Sequence, residues 1–481
     1  MKKLFPLLFG IFILGSLWWR LIVMRTIPFY DWDESIYAQV AREWMRHPGL
    51  ALTYNGSLWF EKPPLLFAII GSLFQVFGTS EFIARLPSTI ASIFALLYLK
   101  QLVLKTLKSD QLAYTTVLLT LATTYYLDRT GLVNVDIFLT LGWLMYLGGT
   151  SVKSRLIGTC IGTWTKSFLG LIPLVVDVVV SLWHRKLTLS KMRESLVILV
   201  LALSWHIYMA LVYQNAFITS HVYEHLISRV QKPIELHAGT RWFYFDHLWQ
   251  NYSLLLSLAG IAILVWAYRI ARRQKRFEID RVFVLSLSYL ALLTISKAKL
   301  SWYVTPLLPL TAFMIVYLIS QIGNGNVRKF AAISLIVWGT FQFTIKTLGA
   351  SFDYAVPSQV MLARCKNSLP PINKLGYLVS PSQRTDAHVI EAAQLNIGSS
   401  FIYGSAPTFL FYLDRPVTFY YKTDLFLKDL GSYDAMVTHK DDSALRQRAE
   451  QILAPGITPI LTCAREDMTM TVRGSSASST K

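Results

Sequence analysis

The chain has 481 residues, of which 53% are hydrophobic and only 15% charged, and its mean hydropathy is +0.43. Soluble domains carry about 25% charged residues, so an ordinary soluble enzyme is excluded and an integral membrane protein with many spans is expected. The formal charge of +18 does not mark a nucleic-acid partner, because the Lys and Arg residues sit in short clusters between apolar runs, as the positive-inside rule requires.

In chain order, Met-Lys-Lys leads into an apolar first span over residues 5–24, which lacks a small-residue cleavage site and reads as retained. Residues 30–47 place Ile36, Val40 and Trp44 on one stripe, with Asp33, Arg42 and Glu43 elsewhere, which predicts a helix lying in the membrane interface. Residues 64–77 form an apolar run too short to cross comfortably and predict a second interfacial or re-entrant helix. Spans are then expected over 86–104, 112–127 and 132–150. The apolar region 156–183 is interrupted by Thr165, Lys166 and Ser167 and reads as two short spans meeting at the outer face. A span over 195–213 precedes a polar loop, 214–247, and further spans follow over 248–269, 282–296, 303–320 and 330–349.

Basic clusters at Lys100–Lys108, Lys153–Arg155, His184–Arg193, Arg269–Arg276 and Arg328–Lys329 then fall on one side. The exception is Lys297 with Lys299, a basic pair on the outer side that either marks a topology error or serves to meet an anion. Beyond residue 350 the apolar runs shorten (Leu375–Val379, Ser400–Tyr403, Ala435–Thr438) and alternate with helical stretches at 384–396 and 441–452. The expected architecture is a polytopic α-helical membrane domain over 1–349, with about 11–13 spans and interfacial helices. A small soluble α/β domain follows over 350–481, with a Ser-rich disordered tail. Of the three cysteines, Cys160 lies in an apolar run, while Cys365 and Cys463 are free to pair if their segment faces an oxidising compartment.

On this topology one face collects Asp31, Asp33, Glu34, Glu61, Lys62, Arg85, Asp128, Arg129, Asp136, Lys166, the loop histidines, Arg241, Lys297 and Lys299. Ionisable groups gathered at a bilayer surface are a functional-site hypothesis by default. Bases that neutralise a phosphate, an acid that takes a proton and an acid–imidazole set for a metal suit a phosphate-bearing lipid. Taken singly, each group has a plainer explanation in interfacial anchoring or helix capping. Asp33 and Asp136 each open a helical run, where the dipole favours an acid, and Arg129 is the nearest partner in sequence for Asp136. His221, His225, His237 and His247 put four of the nine histidines in one loop. The His221-x3-His225 spacing lacks the Glu of a metalloprotease motif.

At Asp33-Glu34-x2-Tyr37, Glu61-Lys62-Pro63-Pro64 and Glu81-Phe82-x2-Arg85-Leu86-Pro87-Ser88 the sequence resembles the aminoarabinose transferase family. These are polyprenyl-phosphate-dependent glycosyltransferases of the GT-C class, related to protein O-mannosyltransferases. Asp136, Thr165-Lys166 and Lys299-x3-Tyr303-x2-Pro306-x2-Pro309 follow in the family's order. The resemblance covers about residues 1–350 well and the tail loosely. It implies a membrane glycosyltransferase of the plasma (inner) membrane, its active site and C-terminal domain facing outward. The enzyme would move a sugar from a polyprenyl-phosphate donor to a lipid, glycan or protein acceptor. Asp33, with Asp136 and Glu34, would be the catalytic acids. Lys62, Arg85, Lys166, Lys299 and Tyr37 would hold the phosphate, and Glu61 with His225, or second His237, would bind a divalent metal (Zn or Mg/Mn). No nucleotide-binding fingerprint is present, in keeping with a lipid-linked donor. Ser167 stands where the family has Gly, and Ser301-Trp302 where relatives carry Pro-His or Arg-Tyr, so sugar and acceptor stay open. Two other classes compete. A flippase of the same lipid predicts charges at mid-membrane, where only Asp177 lies. A non-catalytic scaffold predicts no clustering of acids.

Overall fold

The computed structural model describes residues 4–231, 239–348, 356–382, 384–385, 406–454, 460–465 and 467–473. They divide into two compact units. The first holds the described parts of Met1–Arg25, Phe60–Gln231 and His237–Phe352; the second holds those of Thr26–Trp59 and Asp353–Lys481.

The helices in chain order are α1 (Leu4–Met24), α2 (Asp33–Arg46), α3 (Leu65–Phe77), α4 (Glu81–Leu107), α5 (Asp110–Leu121), α6 (Thr124–Thr130), α7 (Asp136–Gly148), α8 (Val152–Lys166), α9 (Ile172–Trp183), α10 (Leu189–Phe217), α11 (Ser228–Gln231), α12 (Phe243–Ala271), α13 (Phe277–Ile295), α14 (Leu307–Ser320) and α15 (Gly325–Leu348). All but α2 belong to the first unit. Hydroxyl groups start several of them by accepting an otherwise orphaned N–H: Ser80 from Ile83 (3.3 Å), Ser109 from Leu112 (3.3 Å) and Ser151 from Ser154 (3.1 Å). Among the described residues six helices are long and apolar enough to cross a membrane. Shorter apolar helices include Leu65–Phe77, Asp136–Gly148 and Leu307–Ser320. Along α10, Leu196, Val197, Val200 and Leu211 are exposed, an apolar surface that hydrocarbon rather than water covers. The chain is a multi-pass membrane protein.

Several expected spans resolve differently. Residues 112–127 are not one span but α5 and α6, separated at Ala122–Thr123. The span expected over 282–296 is part of a longer helix, α13, which starts at Phe277, carries Glu278, Asp280 and Arg281 near its start and ends at Ile295. The polar loop expected over 214–247 is largely helical to Gln231, α10 passing into a π-helical stretch over Ile218–Ile227 and then α11. The interruption at Thr165–Ser167 is present: α8 ends at Lys166, a 3-10 turn covers Ser167–Leu171, and α9 follows.

Glycine brings α7 and α8 into backbone contact. A Cβ on Gly142 would lie 2.5 Å from the Gly158 carbonyl oxygen, and one on Gly158 would lie 2.6 Å from that of Gly142. Close approach through small residues is the usual device for packing helices in lipid, where apolar surface alone gives no drive to associate. A Cβ on Gly170 would lie 2.1 Å from the Thr163 nitrogen, so the turn after Lys166 folds back directly on α8.

The second unit contains a short hairpin, β1 (Leu52–Tyr54) with β2 (Ser57–Trp59), and a five-stranded sheet. The sheet strands are β3 (Leu375–Leu378), β4 (Val417–Tyr420), β5 (Ala435–His439), β6 (Ile460–Arg465) and β7 (Met468–Arg473), in the order β4-β3-β5-β7-β6. β4, β3 and β5 are parallel, Leu375 facing Val417 and Ala435; β7 adds antiparallel to β5, and β6 to β7. β3 is buried throughout, as a central strand should be. Helices α16 (Ser358–Arg364), α17 (Pro407–Leu413), α18 (Thr423–Asp429) and α19 (Ser443–Leu453) complete it. The expected strand at Ser400–Tyr403, residues 386–396 of the expected helix and the Ser-rich tail lie outside the described residues.

The unit also corrects two expectations. The division differs from 1–349 and 350–481, because Thr26–Trp59 packs with the C-terminal part. For the same reason α2 is not an isolated interfacial helix: Glu34 to Glu43 are all buried. Arg42 donates to the Phe411 carbonyl (2.7 Å), stacks over the Phe411 ring (4.2 Å) and lies 3.3 Å from Asp414, which Arg46 also meets at 2.7 Å. Asn55 donates to the Val417 carbonyl (2.7 Å). Asp31 accepts from the Thr408 N–H (3.1 Å) and hydroxyl (2.7 Å) and from Gln359. Burial raises its carboxyl above the ordinary carboxylate range, against the lowering effect of those bonds. Asp31 is thereby a structural acid. Cys365 and Cys463 are joined by a disulfide across a separation of 98 residues.

Gly158→Ala is expected to lower the melting temperature of the purified protein, because overpacking costs about 1–3 kcal/mol. Gly260→Ala, at a helical glycine with nothing within 4 Å of the added atom, leaves it unchanged. Reduction with dithiothreitol, read by the same melting curve, is expected to destabilise the second unit by about 2–5 kcal/mol; Cys365→Ser reproduces the shift and makes the reductant ineffective.

Candidate functional site

The break between α8 and α9 gives the first unit its polar centre. Lys166 closes α8, and its ammonium pairs with Asp136, the first residue of α7. Asp136 is only 3% exposed, and the α7 N-terminus favours its negative charge. The expected partner Arg129 is not the one used: it lies over the Trp302 ring at 5.0 Å. Chain order misled because Arg129 and Asp136 are separated by the turn after α6, whereas the Gly142–Gly158 contact delivers the end of α8 to the start of α7.

The segment 296–305 contributes aromatic and backbone groups. The Lys166 ammonium lies 4.6 Å from the centre of the Tyr303 ring, and the Tyr289 hydroxyl donates to the Tyr303 carbonyl (2.8 Å). Lys299 is buried, lies over Tyr244 at 5.1 Å and donates to the carbonyls of Leu293 (2.7 Å) and Thr294 (2.9 Å). Burial holds its pKa below the usual lysine value. Lys299 thus caps the end of α13, a use of a cation that the helix dipole favours. Arg85 is fully buried in α4 and donates to the Met24 carbonyl at the end of α1.

The Glu61-Lys62-Pro63-Pro64 segment enters α3. Glu61 and His225 approach to 3.6 Å, both side chains being about nine-tenths buried, and Lys62 is half-buried. The neighbouring His221 is 2% exposed and its Nδ1 lies 2.6 Å from the Phe60 carbonyl oxygen. Its Nε2 lies 2.9 Å from the Ser167 hydroxyl, which also meets His206 Nε2 at 3.0 Å. One imidazole therefore bridges the backbone before Glu61 to the residue after Lys166. Glu61 and His225 are donors of the kind a divalent cation takes. Among the described residues no group of three or more His, Cys, Asp or Glu gathers, so the pair fits a weakly held cation and falls short of a closed zinc site. His237 lies outside the described residues.

Ser167 adopts φ +55° and ψ −142°, a conformation that suits glycine and costs another residue about 1–3 kcal/mol. Its hydroxyl has two partners in return. Neither Ser167 nor His206 was singled out as a site residue from the sequence. The signal available was His206 itself, an ionisable group inside an apolar span.

The remaining expected residues belong to the second unit. Asp33 is the first residue of α2 and half-buried. Glu34 is buried and its carboxylate accepts the Tyr30 N–H (3.0 Å), which fixes the entry to α2. Tyr37 is buried with its ring centre 6.4 Å from that of Trp59.

Residues 61–153 match the family described as dolichyl-phosphate-mannose-protein mannosyltransferase. An undecaprenyl phosphate-alpha-4-amino-4-deoxy-L-arabinose arabinosyl transferase from Pseudomonas savastanoi pv. phaseolicola is 28% identical over 318 residues, 62% of this chain and 58% of the relative. Its namesake from Pseudomonas aeruginosa is 27% identical over 330 residues, 61% and 56% of the two chains. The chain thus spans less than two thirds of the length of these curated relatives. The crystal structure of ArnT from Cupriavidus metallidurans bound to undecaprenyl phosphate superposes with a TM-score of 0.74 at 17% identity, covering 99% of both chains. The apo form gives 0.70 at 17% identity and 98% coverage of each. The chain thus resembles the aminoarabinose transferases in sequence over part of its length and shares the fold of ArnT over nearly all of it.

Proposed function

We propose that the chain is a polyprenyl-phosphate-dependent glycosyltransferase that moves a sugar to a lipid, glycan or protein acceptor at the outer face of the inner membrane. The observation that carries this reading is the juxtaposition in the first unit of two acid–base sets, Glu61 with His225 and Asp136 with Lys166, bridged through His221. The relatives named above act on an undecaprenyl-phosphate sugar, and one has a solved complex with undecaprenyl phosphate. The Cys365–Cys463 disulfide supports an extracytoplasmic place for the second unit, since disulfides persist in oxidising compartments.

In this mechanism Lys62 and Lys166 neutralise the phosphate that leaves the anomeric carbon, an electrostatic stabilisation of charge that develops in the transition state. Lys166 is held in place by its pairing with Asp136 until the phosphate arrives. Lys299 and Arg85 hold the surrounding helices through backbone carbonyls and extend the positive field. Asp33 deprotonates or orients the acceptor hydroxyl, with Glu34 and Tyr37 fixing the helix that carries it. Attack by that hydroxyl forms the new glycosidic bond as the bond to the lipid phosphate breaks, the proton passing to Asp33. A single displacement inverts configuration and needs one base and no covalent intermediate. A divalent cation held by Glu61 and His225 would supply further positive charge at the phosphate.

A flippase for the same lipid needs a charged route through the membrane. Asp177, the acid such a route would use, is engaged by Arg281 (2.8 Å) and Lys191 (2.9 Å) in a buried ion-pair cluster, which favours the transferase.

Membranes carrying the wild type and a radiolabelled pool of polyprenyl-phosphate sugar are expected to move label to an extractable lipid or to protein. Asp33→Asn is expected to lower that rate by at least about a hundredfold, the range of general base catalysis, with polyprenyl-phosphate binding retained. Lys62→Ala raises KM for the donor instead. An Asp33→Asn enzyme of wild-type rate would remove Asp33 from the chemistry.

A further inference from the structure

The Ser167, His206 and His221 contacts have a determined direction. The Phe60 carbonyl can only accept, so His221 Nδ1 at 2.6 Å carries a proton. Trp205, Phe217 and Phe168 surround His221, with ring centres at 5.5, 4.9 and 6.3 Å, an apolar setting that favours the neutral imidazole. Its Nε2 then accepts, and the donor is the Ser167 hydroxyl at 2.9 Å. A hydroxyl has one proton, so Ser167 Oγ accepts from His206 Nε2 at 3.0 Å. His206 Nδ1 is left as an acceptor and has no hydrogen-bond partner among the described residues. The chain runs from His206 through Ser167 and His221 to the Phe60 carbonyl, each link donating to the next. It begins on α10, passes the residue that follows Lys166, and ends one peptide before Glu61 and Lys62.

We infer that Ser167, His206 and His221 are positioning residues that fix the Glu61-Lys62 backbone against the Lys166 turn, setting the spacing of two lysines around one lipid phosphate. This rests on the transferase reading above and deepens it. The backbone at Ser167 supports the assignment. A serine at φ +55° stands in a conformation that glycine adopts without strain, and its hydroxyl is the only group on that side chain able to repay it. The three residues touch no reacting atom, and they act through Phe60 and Lys166. Two rigid attachments on one imidazole allow the lysine spacing to be held without a further charge in the membrane interior.

The test uses full-length protein in nanodiscs, with undecaprenyl phosphate as the binding probe alongside donor kinetics and melting curves. Ser167→Gly relieves the backbone and removes the hydroxyl. It is expected to keep or raise the melting temperature while raising Kd for the probe and KM for the donor about tenfold, with kcat within about twofold. His221→Asn places an N–H where Nδ1 was but leaves the Ser167 hydroxyl without its acceptor, and is expected to weaken binding about tenfold, as Ser167→Gly does. His221→Gln reaches toward Ser167 but leaves the Phe60 carbonyl unmet, and is expected to weaken binding about tenfold. A Ser167→Gly protein that binds the probe like wild type overturns the assignment, as does a His221→Asn or His221→Gln variant that binds it like wild type. Wild-type protein that does not bind undecaprenyl phosphate overturns the transferase reading itself, a result the variants cannot mimic.

Discussion

The ion pair between Asp136 and Lys166 is the interaction on which the membrane unit is built. A buried ion pair is a poor source of stability, since desolvating two charges costs as much as their attraction returns. Its maintenance requires that the rest of the fold deliver both groups to one place. The α7 N-terminus supplies a favourable dipole for Asp136. Gly142 and Gly158 let α7 and α8 touch backbone to backbone, and the Ser167–Leu171 turn ends α8 at Lys166. Ionisable groups kept buried at a helix break of a membrane protein mark a candidate functional site.

The second unit solves a different problem. Its segment from Thr26 to Trp59 is far in sequence from the sheet it packs with, and charged and hydrogen-bonded contacts tie them together. Arg42 satisfies the Phe411 carbonyl and Asp414 together, Asp31 satisfies Thr408 and Gln359, and the disulfide fixes the turn after α16 to β6. Such polar attachments specify one arrangement where an apolar face alone would tolerate several. The unit thereby buries α2 from Glu34 to Glu43 and gives the helix that begins at Asp33 a rigid mount.

Much of this was legible in the sequence because it is local. The apolar runs, the interruption at Thr165–Ser167 and the strands at Leu375 and Ala435 all follow from residue type and spacing, whereas the Glu61–His225 approach was expected only from the family resemblance. Three features were not. The partner of α2 lies more than 360 residues away, at Phe411 and Asp414, and an amphipathic stripe cannot say whether lipid or protein covers it. Lys166 displaced Arg129 as the partner of Asp136 because helix packing, not chain proximity, sets that distance. The bonding of Ser167 to two histidines depends on a backbone conformation that no side-chain period records, and on a π-helical continuation of α10 where a polar loop was expected.

The central claim is that this arrangement breaks the bond between a sugar and a lipid phosphate. It is tested most directly by reconstituting purified wild-type protein in vesicles with a sugar-labelled polyprenyl phosphate and an extract of membrane lipids and glycans, then separating the products by chromatography. The account predicts that label leaves the polyprenyl phosphate covalently and that free polyprenyl phosphate accumulates in equal amount. Intact donor redistributed between leaflets, with no free polyprenyl phosphate, would contradict it and identify a carrier instead.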